Sequence, residues 1–292
     1  RSPGPAEPAP GGTRARRNRG RRYGRPVSSI RGPLHAEVLG PEDAPPIVFV
    51  HPNPQDSASW MFQTAHFSTW FRCVAVDLPG YGRSPSAAAG LTMDEVAAAV
   101  WDAVDARTAG GPAVLVGCSV GSNVVQRMYH LRPGATRAVV ATGGWRAVKE
   151  HPARRIAGYR ARGLDYRYEH VLSNFSDDFA RTPFAHWLAR LFVERNTTAD
   201  VGTIITMFEA LGLPDPDWLA ADLHAPVLVV SGSLDRGHAA AHALHARLPD
   251  SRLAVIEGAG HACHLEKPEE YDAHVVRFLR ELGHDLPEPR AR

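Results

Sequence analysis

With 292 residues, 44 % apolar and 22 % charged, the chain can bury the core of one α/β domain together with an insertion. No run of about 18 apolar residues occurs, which excludes a membrane-spanning helix, and three cysteines, an odd number, point to free thiols in a reducing cytoplasm. The net charge of +2 conceals a division: residues 1–26 carry eight arginines against Glu7, a balance of +7 that leaves −5 on the remainder.

That first stretch is rich in Gly and Pro and has no apolar period, so it reads as a disordered arm. Such charge can meet nucleic acid or an acidic membrane surface, but a solvated tail is the simpler reading and no nucleic-acid partner is expected. The pairs Arg16-Arg17 and Arg21-Arg22 lack a following apolar segment, so they do not read as an export signal. Beginning at Arg1 rather than Met, the sequence leaves room for residues upstream.

Pro33 to Leu39 reads as an edge strand. Ile47-Val48-Phe49-Val50 is the first of several apolar runs too continuous for a one-sided sheet, as expected of central parallel strands covered on both faces. It ends in His51-Pro52-Asn53-Pro54. Val74-Ala75-Val76 follows and ends in Asp77-Leu78-Pro79-Gly80-Tyr81-Gly82-Arg83-Ser84, and Leu91 to Arg107 reads as a helix. The strand Ala113 to Val116 runs directly into Gly117-Cys118-Ser119-Val120-Gly121 and then a helical stretch. In that context the serine sits on a tight, strained turn that needs small residues two positions either side, and its hydroxyl becomes a nucleophile. The N–H of Val120, at the helix start, points at the place where an oxyanion would form. Ala138-Val139-Val140 is a further strand.

From Gly143-Gly144 to Pro226 the pattern changes to helical stretches, with loops expected at Pro183 and Pro214-Asp215-Pro216, and aromatic residues from Trp145 to Trp218. Then two buried strands end in chemistry. Val227 to Val230 leads to Asp235, and Leu253 to Ile256 leads to Glu257-Gly258-Ala259-Gly260-His261. A serine hydroxyl needs a neutral imidazole to take its proton, and the imidazole needs an acceptor behind it to fix its tautomer. Ser119 as nucleophile, His261 as base and Asp235 as orienting acid, in that chain order and each at a strand end, satisfy both needs.

On these motifs, and on Leu265-Glu266-Lys267-Pro268-Glu269-Glu270 after the histidine, the sequence resembles the α/β-hydrolase superfamily over roughly residues 33–282. The similar branch is the capped one, which includes small esterases, C–C bond hydrolases, epoxide hydrolases and haloalkane dehalogenases. The resemblance implies a mostly parallel, doubly wound sheet with a helical cap inserted after the sixth strand. The expected organisation is a basic arm over 1–26, a core over 27–144 and 224–284, a cap over 145–223 and a tail over 285–292. It also implies a second oxyanion donor at Asn53, a cis bond before Pro54, a structural role for Asp77, and no cofactor.

Where the alkyl-transferring relatives place an aspartate in the elbow, this chain has Ser119, which favours acyl transfer. The loop usually reads His-Gly-x-Pro; Pro52 replaces the glycine but leaves the N–H of Asn53 in place. The expectation is a cytoplasmic serine hydrolase that cleaves a small, apolar carboxylic ester, lactone or thioester. C–C hydrolysis, acyl transfer to another acceptor, and a ligand receptor that keeps the triad are the alternatives. Relatives that cleave C–C bonds commonly carry Trp after the histidine, and this chain has Ala262. His51 and His264 read as supporting or packing residues, His238 as a first-turn residue and Cys118 as packing beside the elbow. No histidine pair has metal-ligand spacing.

Overall fold

The computed structural model describes residues 29–143, 151–212 and 218–287. The arginine-rich arm, Trp145 and Pro214-Asp215-Pro216 lie outside them. Seven strands form one sheet: β1 (Ala36–Leu39), β2 (Pro46–Val50), β3 (Arg72–Val76), β4 (Ala113–Cys118), β5 (Thr136–Thr142), β6 (Val227–Gly232) and β7 (Ser251–Ile256). Their order is β1-β3-β2-β4-β5-β6-β7. Only β1 is antiparallel, paired with β3 from Ala36 opposite Val76 to Leu39 opposite Cys73.

The apolar runs become central strands because both of their faces are covered. Alternate residues go to opposite sides of a strand. Val48, Val50, Val74, Val76, Leu115, Val139 and Val229 therefore join one core with the helices α2 (Met93–Asp105), α3 (Val120–Leu131) and α10 (His238–His245). Ile47, Phe49, Cys73, Val114, Val116, Val140 and Val230 join the other, with α1 (Met61–Phe67) and α12 (Pro268–Glu281). The helix read over Leu91 to Arg107 runs from Met93 to Asp105 and opens with a reciprocal capping box between Thr92 and Glu95.

The intervening segment contains α4 (His151–Arg162), α5 (Tyr166–Leu172), α6 (Asp177–Ala180), α7 (Pro183–Glu194), α8 (Val201–Gly212) and α9 (Trp218–Ala221), with no strand among its described residues. It follows the fifth strand, not the sixth, because a single strand precedes β2 among the described residues. Pro183, expected in a loop, is instead the first residue of α7: Thr182 caps the helix through Ala185 N, and proline suits a position whose N–H has no partner inside the helix. The short α11 (Cys263–Glu266) precedes α12.

Register brings the chemistry to one edge. Val50 lies beside Gly117, Cys118 beside Thr142, Thr142 beside Val230, and Gly232 beside Ile256. The loops after β2, β4, β6 and β7 thus leave the sheet side by side at its carboxyl end, where parallel α/β sheets place their ligands.

Candidate active site

Ser119 holds φ +58° and ψ −117°, the one positive φ on a non-glycine among the described residues. The turn is kept by Ser119 N donating to Thr142 O at 2.9 Å and by Ser122 Oγ donating to Gly117 O and Thr142 O. The flanking glycines have no substitute. A Cβ on Gly117 would stand 2.3 Å from Gly121 O, and one on Gly121 would stand 2.0 Å from Val50 O. Strand, turn and helix are pressed together at backbone distance, which leaves the serine side chain at the tip, half-buried rather than sealed.

His261 lies in the loop after β7 and Asp235 in the loop after β6. The Nδ1 of His261 and Oδ2 of Asp235 are 3.0 Å apart, with the carboxylate side chain 3 % and the imidazole 24 % exposed. Asp235 Oδ1 also accepts from Gly237 N at 2.8 Å. Burial disfavours both charged forms. It is outweighed by the attraction between them, so His261 titrates above its usual value and Asp235 below its own. The positive charges of Arg155 and Arg236 press the other way on His261. Gly143 joins the two halves of the site: a Cβ there would meet His261 Cε1 at 2.9 Å and Ser119 N at 3.4 Å.

The loop after β2 runs against the start of α3, since His51 O lies 3.1 Å from the Cβ position of Gly121. Asn53 is buried, the Asn53–Pro54 bond is cis, and Asn53 O accepts from Asn174 Nδ2 at 2.7 Å. Val120 is the first residue of α3, where backbone N–H groups have no partner inside the helix. His51 is bound on both ring nitrogens, to Pro52 O at 3.0 Å and, as acceptor, from Leu78 N at 2.9 Å. Burial lowers its pKa, so it is a neutral strut between two loops. Asp77 is a second strut, accepting from Ser57 N at 2.8 Å and Arg83 N at 2.9 Å.

The cysteines beside the elbow are poor nucleophiles. Burial, helped by Cys263 and Asp235, pushes the Cys118 thiol far up, and burial pushes Cys263 up as well. His264 stacks on Trp60 with ring centroids 4.2 Å apart, and burial lowers its pKa to about 3, so it packs as a neutral ring. His238 opens α10 with Nδ1 at 3.2 Å from Ser231 Oγ. No cluster of metal-ligating side chains occurs among the described residues.

Two supports escaped the sequence. Asn174, just after α5, holds Asn53 O with its side chain, and its own carbonyl accepts from Ala262 N at 2.8 Å. It thereby ties the β2 loop to the histidine loop. Glu266 accepts from Gly260 N, Ser176 N and Ser176 Oγ at 2.8, 3.0 and 2.7 Å. No sequence signal marks Asn174; Glu266 stood in a motif whose structural use was not evident.

Comparison with known proteins agrees with this architecture. A segment of polyketide synthase ThaQ from Burkholderia thailandensis is 34 % identical over 213 residues, which is 70 % of this chain and 10 % of that synthase. RutD of Escherichia coli, named as a carbamate hydrolase, is 26 % identical over 253 residues, 83 % of this chain and 94 % of its own length. The enol-lactonase of Burkholderia xenovorans LB400 superposes with a TM-score of 0.76 at 21 % identity, covering 87 % of this chain and 100 % of the lactonase. The family model described as "Alpha/beta hydrolase family" matches residues 47–274, a span that holds the elbow, the Asp235–His261 pair, β3 to β7 and all of β2 but its first residue. The chain belongs to the alpha/beta hydrolase family.

Proposed function

We propose that the protein is a serine hydrolase that opens a carboxylic ester, lactone or thioester through an acyl-enzyme. The observation that carries this reading is a serine strained to φ +58° beside a histidine whose Nδ1 is tied to a buried carboxylate. Ser119 Oγ attacks the carbonyl carbon while His261 Nε2 takes its proton, and the oxyanion is held by the N–H groups of Asn53 and Val120. Collapse expels the alcohol or thiol, which receives the proton from His261. Water, deprotonated by the same imidazole, then frees the acid and restores Ser119. No step calls for a cofactor. The segment 145–223 serves as the cap over an apolar acyl or alcohol group, and the free thiols Cys73, Cys118 and Cys263 suit a cytoplasmic setting.

A fluorophosphonate probe is expected to label Ser119. Ser119→Ala is expected to lower kcat on p-nitrophenyl esters by about 10⁴-fold or more, with unchanged circular dichroism. Turnover retained in that variant would overturn the nucleophile assignment, and rapid labelling with negligible turnover over the whole ester series would favour a receptor. A second reading, acyl transfer from a thioester to an alcohol or amine, draws support from the likeness to a segment of a polyketide synthase. Thioester turnover with and without added acceptors, read by mass spectrometry of the products, separates the two. C–C hydrolysis is disfavoured by Ala262 behind the histidine.

A further inference from the structure

The turn 173–176, which joins α5 to α6, touches three of the four loops that carry the candidate site. Its shape is fixed by the helices on either side. Ser173 N donates to Glu169 O, Asn174 N to Val171 O and Phe175 N to Leu172 O at 3.0, 3.0 and 3.1 Å. Ser176 then caps α6, its Oγ accepting from Phe179 N at 3.3 Å. The first contact is with the loop after β6, where Arg236, next to Asp235, donates through Nη2 to Ser173 O at 3.2 Å. The second is with the loop after β2, where Asn53 O accepts from Asn174 Nδ2 at 2.7 Å. The third is with the loop after β7 and falls on both neighbours of His261. Ala262 N donates to Asn174 O, and Gly260 N donates to Glu266 Oε1, each at 2.8 Å. Glu266 in turn accepts from Ser176 N and Ser176 Oγ.

The fit leaves no slack. A Cβ on Gly260 would stand 2.4 Å from Ser176 N and 2.6 Å from Phe175 C, so the two backbones are in direct contact. Asn174 is buried, and its side chain makes the only hydrogen bond to Asn53 among the described residues. The direction of the Asn53 N–H is set within its own loop. Pro52 O, at the other end of that planar peptide unit, is held by Gln55 N and His51 Nδ1, both at 3.0 Å. Neither of those bonds reaches the histidine loop. Asn174 does, with its side chain on Asn53 and its carbonyl on Ala262, so a single residue spans the gap between the two loops. Ser173 also gathers charge. Arg155 Nη2 donates to its Oγ at 2.8 Å, so the two arginines whose charges oppose the His261 imidazolium are both bonded to this turn.

We propose that the turn 173–176, acting through Asn174 and Glu266, is a positioning element that sets the oxyanion donor Asn53 and the base His261 at their working separation, which makes the helical insertion part of the reaction geometry. Catalysis by aligned groups is steep in distance, and a displacement of about 1 Å costs on the order of 10²-fold. A simple tether loses stability when it is cut, whereas a positioning element loses rate at every intact site. The placing half of the proposal stands on the contacts, and the kinetic half rests on the hydrolase reading.

The test therefore has two arms, both on the full chain. Asn174→Leu removes the amide donor while keeping the volume and the backbone carbonyl, and Asn174→Ala makes the same cut if leucine packs badly. Glu266→Ala removes the bridge from Gly260 to Ser176, and Glu266→Gln keeps an acceptor for both N–H groups. In the first arm, hydrogen exchange read by mass spectrometry is expected to quicken about fivefold or more over residues 52–56 in Asn174→Leu and over residues 258–262 in Glu266→Ala, with the strands unchanged. In the second, active sites are counted with a fluorophosphonate and turnover of p-nitrophenyl butyrate is expressed per labelled site. That kcat is expected to fall about 100-fold in Asn174→Leu and in Glu266→Ala, with KM within about threefold, while Glu266→Gln retains about a third or more. The double variant Asn174→Leu/Glu266→Ala should lie within about tenfold of the poorer single one, because a separation already lost leaves little for the second cut to disturb. Unchanged exchange, an unchanged kcat per site, a rise in KM alone, or losses that multiply in the double variant would each overturn the positioning element. Quickened exchange with no ester turned over by any of the proteins would leave the placing half standing and sink the hydrolase reading instead.

Discussion

Asp235 and His261 shape each other's protonation, and the balance has a kinetic signature. Burial works against the imidazolium, yet the charge and hydrogen bond of Asp235 raise the His261 pKa above 6.5. A general base must be neutral, so kcat/KM is expected to rise with pH through an inflection above 6.5. In Asp235→Asn the raising interactions vanish, while burial and the charges of Arg155 and Arg236 remain. The inflection should then move down, and kcat should fall by about 10⁴-fold because the tautomer is no longer fixed. Paired pH–rate profiles check this, and an unmoved inflection would refute the linkage.

At the scale of elements, α1, α11 and α12 meet through Gln63, whose Nε2 donates to His264 O at 3.2 Å and Asp272 Oδ1 at 3.0 Å. Burial pushes the Asp272 carboxyl to about 7, with the Gln63 bond opposing only in part. The folded state therefore holds a proton that the unfolded chain releases near its ordinary value of 3.8, and this group's contribution to stability declines as pH rises from about 4 to about 7. Asp272→Asn keeps an acceptor for Gln63 and offers a donor to Gln63 Oε1, which has no partner. It should raise stability at pH 8 by about 1–2 kcal/mol and change it little at pH 4; thermal melts at the two pH values test the difference. The same contacts mark the limit of what the sequence discloses. Elbow and strand ends are local, so their residue types and spacing carry the geometry. The pairings of Gln63 with Asp272 and Asn174 with Asn53 span 209 and 121 residues, and no periodicity links such positions. Pro183 meets a related limit: a proline marks a boundary, but only the cap supplied by Thr182 shows that the boundary is a helix start.

For the molecule as a whole, the helical segment after β5 is bound to the sheet domain at several separated points. Asn196 Oδ1 accepts from Gly82 N and Asn196 Nδ2 donates to Asp56, while Thr203 Oγ1 accepts from Ala87 N. Asp56 is central, since it also caps the turn Ser57–Trp60 through Ala58 N at 2.8 Å. Removing it as Asp56→Ala should cost about 2–3 kcal/mol, less than the value for a fully buried pair because Arg195 keeps 31 % of its side chain in solvent. A lowered urea midpoint at unchanged slope is the expected reading. These tethers, with Asn174 on the loops after β2 and β7 and Ser176 on Glu266, flank the candidate site. The helical segment cannot swing away as one leaf without breaking the hydrogen bonds by which Asn174 and Ser176 brace the loops that carry Asn53 and His261.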